Sequence, residues 1–103
     1  MTLTSKERAE LRAEAHHLNP LVHIGHQGLT DTLLQTLDDT LRTHELVKVA
    51  LAKTTDASPK DAAHEIAERL GADVVQVIGR TCTMYRENPD LKRKQGAPPP
   101  WRG

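Results

Sequence analysis

Apolar residues along this chain follow two spacings, one typical of helices and one typical of short strands. In three segments they recur every three or four positions, which predicts three amphipathic helices. Runs that are dense or alternating in apolar residues, at positions 21–24, 45–51, 74–78 and 81–86, predict four strands. The expected fold class is therefore α/β with the element order α-β-α-β-α-β-β. The helical sets are Leu11, Ala15 and Leu18, then Leu33, Leu34, Leu37 and Leu41, then Ala62, Ala63, Ile66, Ala67 and Leu70.

The predicted helices begin at residues that favour a helix start. Thr4 and Glu7 fit a capping box ahead of the first helix. Ser58 and Pro59 suit the N-cap and the first position of the third helix. Since an apolar sheet face must be covered, we expect the helices to pack on the apolar side of the sheet.

The elements predict one small domain followed by a tail. Residues 1–86 hold all of the helices and strands, and the turn at Gly79 and Arg80 makes the last two strands a hairpin. Residues 87–103 are polar, basic and rich in proline, and we expect this tail to be flexible. Phenylalanine is absent, so the core must consist of Leu, Val, Ile and Ala.

Charge is unevenly distributed along the chain, although the formal net charge is zero. From Arg86 to the end, five basic residues accompany two acidic ones, whereas residues 1–85 hold nine basic and twelve acidic residues. Bulk charge therefore argues against a strongly basic nucleic-acid binder. Any binding of a polyanion must depend on the local placement of charge and on the tail.

Cysteine content and hydropathy indicate a cellular compartment. The single cysteine, Cys82, rules out an intrachain disulfide and suits a reducing environment. No apolar run approaches the ~20 residues that a membrane-spanning helix requires. We therefore expect a cytoplasmic protein without a membrane partner. As separate expectations, we predict a monomer and no small-molecule substrate.

A glycine loop joins the first predicted strand to the second helix. It runs through Gly25, His26, Gln27 and Gly28, with Thr30 as the expected N-cap of the helix. Two glycines allow positive φ and close approach by a partner. The free amides of the first helical turn and the positive end of the helix dipole favour an anion such as phosphate. The alternative interpretation is a plain strand-to-helix turn without a ligand, in which the two glycines serve only the turn.

Arginines on the first helix suggest a further contact surface. Arg8, Arg12 and His16 share one row at i, i+4 spacing. This row is either a solvated charged face accompanied by Glu7 and Glu14 or a basic ridge for phosphates.

Catalytic and metal sites find little support in the sequence. Four histidines cluster between positions 16 and 26, but they lack a cysteine partner and do not form a His-x3-His pair on one helix. Cys82 falls in the middle of a strand, where a buried hydrophobe is expected. Neither a nucleophile elbow nor a P-loop is present. We therefore expect no cofactor, no metal and no catalytic residue.

Several motifs, in order, resemble those of the CRM domain (chloroplast RNA splicing and ribosome maturation), and more closely its stand-alone bacterial YhbY-type members. The matching stretches span roughly residues 3–86, and several motifs at the right separations are more specific than one Gly-x-x-Gly. They read NPLVHIGHQGLT at 19–30, HELVKV at 44–49, VQVIGRT at 75–81 and YR at 85–86.

The resemblance implies a non-catalytic RNA-binding protein that associates with large-subunit ribosomal RNA or its precursor particle and assists ribosome assembly. It also implies a mixed four-stranded sheet with packed helices, similar to the C-terminal domain of translation initiation factor three. The RNA-contacting loop of the CRM family corresponds to residues 25–28, and the basic positions of the family pattern map onto Lys48, Arg80 and Arg86. The acidic body and the His-Gln loop depart from the basic character of that family.

Two other functions remain open from the residues alone. The first is a protein-interaction module of the translation machinery that meets the ribosome without touching RNA, through the prolines and Trp101 of the tail. The second is a small hydrolase or transferase that uses His26 with a nearby acid, which requires a pocket with a perturbed titratable pair.

Overall fold

Three helices and a four-stranded sheet make up the fold, as a computed structural model shows. The structure describes residues 3–55 and 57–88. The predicted tail, including Lys92, Arg93, Lys94 and Trp101, lies almost wholly outside these ranges. The elements are α1 (Ser5–Ala15), β1 (Val22–Ile24), α2 (Asp31–His44), β2 (Leu46–Leu51), α3 (Pro59–Leu70), β3 (Asp73–Ile78) and β4 (Thr81–Tyr85).

The sheet is mixed, with strand order β1-β2-β4-β3. β1 pairs in parallel with β2, and β4 is antiparallel to both of its neighbours. The hairpin between β3 and β4 therefore places the last strand in the middle of the sheet, and β1, β2 and β3 all run in the same direction. The predicted element order and the mixed four-stranded sheet are confirmed.

One face of the sheet carries the main core, covered by α2 and α3. Because alternate strand residues point to the same face, Val47 and Val49 of β2 lie beside Cys82 and Met84 of β4 in this layer. All four side chains are fully buried. The helices contribute their predicted stripes, of which Leu34, Leu37, Leu41, Ala62, Ala63 and Ile66 are the buried members.

The first helix lies on the opposite face, which corrects the expectation that all helices share one apolar side. Leu11 and Ala15 of α1 pack with Leu46 of β2 and Val75 of β3 in a second, smaller cluster. Val75 reaches this face at a register shift in β3 between Val74 and Gln76. Sequence periodicity did not reveal this arrangement because β2 carries only one large apolar residue, Leu46, on that side.

Helix starts follow the prediction closely, whereas one helix end does not. Thr4 and Glu7 form the capping box, and Ser58 and Thr30 act as N-caps. The second helix, α2, continues to His44, and Glu45 closes it with φ 63°. Residue 45 was predicted to begin a strand; instead it is a buried C-cap in a conformation that L-residues seldom adopt.

Candidate nucleic-acid interface

The strand directions bring three loops to one end of the sheet. β1, β2 and β3 all finish there, so the glycine loop (25–28), residues 52–55 after β2 and the turn at Gly79 and Arg80 lie at the same end. The first turns of α2 and α3 point towards it as well, with the positive ends of both dipoles. We call this the glycine-loop end. Ligands of open α/β sheets commonly bind outside the carboxyl ends of the strands.

The glycine loop is compact and open to its surroundings. The amide of Gly28 donates to the carbonyl of Gly25 at 3.0 Å, and the amide of Thr30 donates to the carbonyl of Gly28 at 3.1 Å. Gly28 has φ +73°, which favours glycine, and no heavy atom lies within 4 Å of where a Cβ would stand at either glycine. A partner can therefore approach this backbone closely.

The start of α2 leaves two backbone donors free. The hydroxyl of Thr30 accepts the amide of Leu33 at 3.1 Å, and its carbonyl accepts the amide of Leu34 at 2.9 Å. The amides of Asp31 and Thr32 find no acceptor within the described ranges. The carboxylate of Asp31 is exposed at the same turn and opposes an anion there.

A neighbouring loop supports the glycine loop from behind. The hydroxyl of Thr55, a buried residue, shares its one hydrogen between the carbonyls of Ile24, at 3.1 Å, and Gly25, at 2.9 Å. The Nδ1 atom of His26 lies 3.4 Å from the carbonyl oxygen of Thr54. Residues 25–28, Thr30 and Leu33 line a concavity of 360 Å³ in front of this support. The loop is thus held in shape before any ligand arrives.

Arg80 and Lys53 supply positive charge at the glycine-loop end. The guanidinium of Arg80 donates to the carbonyls of Leu51 and Ala52, at 3.2 and 2.6 Å, and so spans the end of β2. Lys53 is exposed and follows Ala52 directly. Lys53 was not predicted from the sequence, because its place beside the glycine loop depends on the pairing of β2 with β1.

Four other predicted site residues do not lie at the glycine-loop end. They are Arg8, Arg12, Lys48 and Arg86. Arg8 and Arg12 are half-buried on α1, across the sheet from α2 and α3, and neither forms an ion pair within the described residues. The Nε atom of Arg8 is buried without an acceptor. Lys48 lies mid-strand on the face that α1 partly covers, paired with Thr83.

Arg86 lies at the opposite end of the sheet, just after β4. Its guanidinium donates to Asp38 and to the carbonyl of Leu70. This geometry favours a structural role for Arg86, and its predicted contact with RNA stays a prediction.

The described residues show few features that favour catalysis or metal binding. Burial raises the pKa of the Cys82 thiol to about 11, so it is a poor thiolate nucleophile. No group of three or more His, Cys, Asp or Glu side chains among residues 3–55 and 57–88 is arranged to hold a metal ion. Within the same residues, no helix is long and apolar enough to cross a membrane.

Comparison with known proteins identifies relatives along nearly the whole chain. A protein of Haemophilus influenzae named "RNA-binding protein" is 35% identical over 91 residues, which cover 88% of this chain and 92% of that protein. The Bacillus subtilis protein named "Probable RNA-binding protein YqeI" is 31% identical over 91 residues, covering 88% and 95% of the two chains.

A solved structure and a family model agree with these relatives. The solution structure of the hypothetical protein SAV1595 from Staphylococcus aureus superposes with a TM-score of 0.75 at 34% identity, covering 88% of this chain and 95% of that one. The model of the CRS1 / YhbY (CRM) domain matches residues 3–86. The recognition made from the motifs is confirmed, and this chain belongs to the CRS1/YhbY (CRM) domain family.

Proposed function

We propose that this protein binds RNA without catalysing a reaction, and that its target is large-subunit ribosomal RNA or the precursor particle that contains it. It would assist assembly of that subunit in the cytoplasm, acting as a monomer. Relatives named as RNA-binding proteins support the RNA part of this proposal. The ribosomal target rests on the family resemblance of the motifs.

The single observation that carries the proposal is the exposed backbone of the glycine loop beside free amides at the start of α2. Phosphate oxygens suit such donors, and a similar Gly-x-x-Gly loop in KH domains clamps backbone nucleotides. Gly25 and Gly28 admit the phosphate backbone, while His26 and Gln27 are exposed and available to contact a nucleotide.

Both basic and acidic side chains lie at the glycine-loop end. Lys53 lies in the loop that follows β2, Arg80 bonds to Leu51 and Ala52 beside it, and helix dipoles add partial positive charge. Asp31 and Asp61, in the first turns of α2 and α3, reduce this potential. We therefore expect binding through few phosphate contacts, with modest affinity and a shallow salt dependence.

A titration with two matched glycine variants tests the proposal. Gly28 and Gly71 both have positive φ and open surroundings, but they lie at opposite ends of the sheet. Gly28→Asp and Gly71→Asp therefore carry similar backbone strain and the same added charge. Binding of labelled large-subunit ribosomal RNA fragments should weaken at least tenfold in Gly28→Asp and stay near wild type in Gly71→Asp.

Two results would contradict the proposal. Equal RNA affinity of both variants and of the wild type would remove the glycine loop from the mechanism. Ribosome association that survives RNase treatment and does not change with salt would favour the alternative, a protein-interaction module.

A further inference from the structure

The face of the sheet that α1 only partly covers contains an open groove. α1 packs over Leu46 and Val75. Beyond it on the same face, Lys48 and Gln76 are half-buried, Ile78 is exposed and Thr83 is buried. A concavity of 490 Å³ lies there, and a second of 320 Å³ adjoins it through Leu18, Asn19 and Lys48. We define the open groove by His16 and Asn19 after α1, Lys48 of β2, Gln76 and Ile78 of β3, and Thr83 of β4.

The lining of the open groove differs in charge from the rest of the body. None of the described residues that line the two concavities is an Asp or a Glu, although acidic residues outnumber basic ones over residues 1–85. Lys48 lines both concavities and brings a basic side chain to them. The groove is therefore suited to a partner that carries negative charge.

The other side chains of the open groove can hydrogen-bond to nucleotide bases or stack on them. Asn19 and Gln76 each carry both a donor and an acceptor, which suit the hydrogen-bonding edges of a base. His16 is exposed and has a flat ring on which a base can stack. Ile78 exposes 57% of its surface, so an apolar patch lies beside these polar groups.

The open groove is continuous with the glycine-loop end. Ile78 and Thr81, which line it, flank the turn that holds Arg80. Arg80 in turn bonds to Leu51 and Ala52, next to the support of the glycine loop. A chain of phosphates can thus pass from the loop, over Arg80, and onto this face.

From this lining and this continuity we propose that the open groove is a second part of the RNA site, which takes an unpaired segment of the strand held by the glycine loop. The inference rests on the proposed function and adds to it the class of RNA. A concave site with base-edge donors requires bases that are splayed out, whereas a duplex presents a stiff, regular surface.

Site-specific photocrosslinking to deproteinised large-subunit ribosomal RNA tests this inference. A benzophenone amino acid replaces Gln27 in the glycine loop, Ile78 in the groove or Glu68 on the outer face of α3; all three positions are exposed. We expect crosslinks from positions 27 and 78, both to unpaired nucleotides a few positions apart, and background from position 68. Lys48→Gln should weaken RNA binding by about three- to tenfold, while Lys6→Gln, an exposed lysine on α1, should not.

The outcomes separate this inference from the proposed function. Crosslinks from position 27 with only background from position 78 would overturn the groove and leave the glycine loop standing. Crosslinks from position 78 to base-paired nucleotides would overturn the assignment of an unpaired segment. Background yield at all three positions would remove both proposals.

Discussion

Arg86 and Asp38 form a partly buried ion pair that ties the end of β4 to α2. The Nη1 atom of Arg86 donates to Asp38 Oδ1 at 2.8 Å, and its Nη2 atom donates to the backbone carbonyl of Asp38 at 3.0 Å. Nη1 also donates to the carbonyl of Leu70 at the end of α3, at 2.9 Å. One guanidinium thus satisfies acceptors on both helices of the main core.

Replacing Arg86 should destabilise the domain more than it weakens RNA binding. Arg86→Ala leaves the Asp38 carboxylate and two carbonyls short of a donor, which should lower the free energy of unfolding by about 1–3 kcal/mol. Arg86→Lys should recover only part of this loss, because an ammonium cannot reproduce the planar fork. Urea unfolding of both variants provides the measurement. Full stability of Arg86→Ala would contradict the structural role.

Thr55 should control the shape of the glycine loop from outside it. Thr55→Val keeps the side-chain volume but removes the hydroxyl that the carbonyls of Ile24 and Gly25 share. Those carbonyls keep their bonds from the amides of Ala52 and Gly28. We expect a loss of about 1–2 kcal/mol in stability and faster amide hydrogen exchange in residues 25–28.

The neighbouring threonine gives a matched control for this experiment. Thr54 is exposed, and only its backbone carbonyl faces His26. Thr54→Val should therefore leave both stability and hydrogen exchange unchanged. If the two valine variants behave alike, the Thr55 hydroxyl does not hold the loop.

Cys82 should make the domain less stable in alkaline solution. Burial raises the pKa of its thiol from 9.0 to about 11, so between these values the unfolded chain loses a proton that the folded chain retains. The free energy of unfolding should therefore fall by about 1.4 kcal/mol per pH unit over this range from this group alone. Below pH 9 both states keep the proton and the effect is absent.

A variant without the thiol isolates this contribution from other groups that titrate at high pH. Cys82→Ala should be less stable than wild type near pH 8, because it leaves a small cavity in the core. This difference should shrink as the pH rises towards 11. A difference that stays constant with pH would show that Cys82 does not contribute as stated.

Lys53 should contribute one phosphate contact at the glycine-loop end. Lys53→Gln should weaken RNA binding several-fold and lower the salt slope of the binding constant by about one. Arg69→Gln, which removes an exposed charge on α3 that pairs only with Glu65 among the described residues, serves as the control. Equal salt slopes in the two variants would exclude Lys53 from the interface.

Local structure was largely predictable from the sequence, because it depends on neighbours a few residues apart. The capping box of Thr4 and Glu7, the N-caps Thr30 and Ser58, and the hairpin were all anticipated. Glu45 was not. Its place as a buried C-cap depends on distant partners: its carbonyl accepts the amide of Arg86, and its carboxylate accepts the amide of Asn88.

The candidate site likewise contains one part that was predictable from the sequence and another part that was not. The residues of the glycine loop are contiguous, so their pattern was visible in the sequence, and the family resemblance rested on that pattern. Lys53 and the open groove were not visible, because each depends on which strands are neighbours and on which face α1 packs.

By itself, the sequence determined the helices and strands, the glycine loop and the family, since each of these follows from the pattern of residues a few positions apart. Only the tertiary structure decided that β4 lies in the middle of the sheet and that α1 covers part of the second face. It also decided that Arg80 lies beside Leu51 and Ala52 while Arg86 lies at the other end. The physical reason is that strand order and helix placement follow from the burial of apolar faces across the whole chain, which local spacing cannot encode.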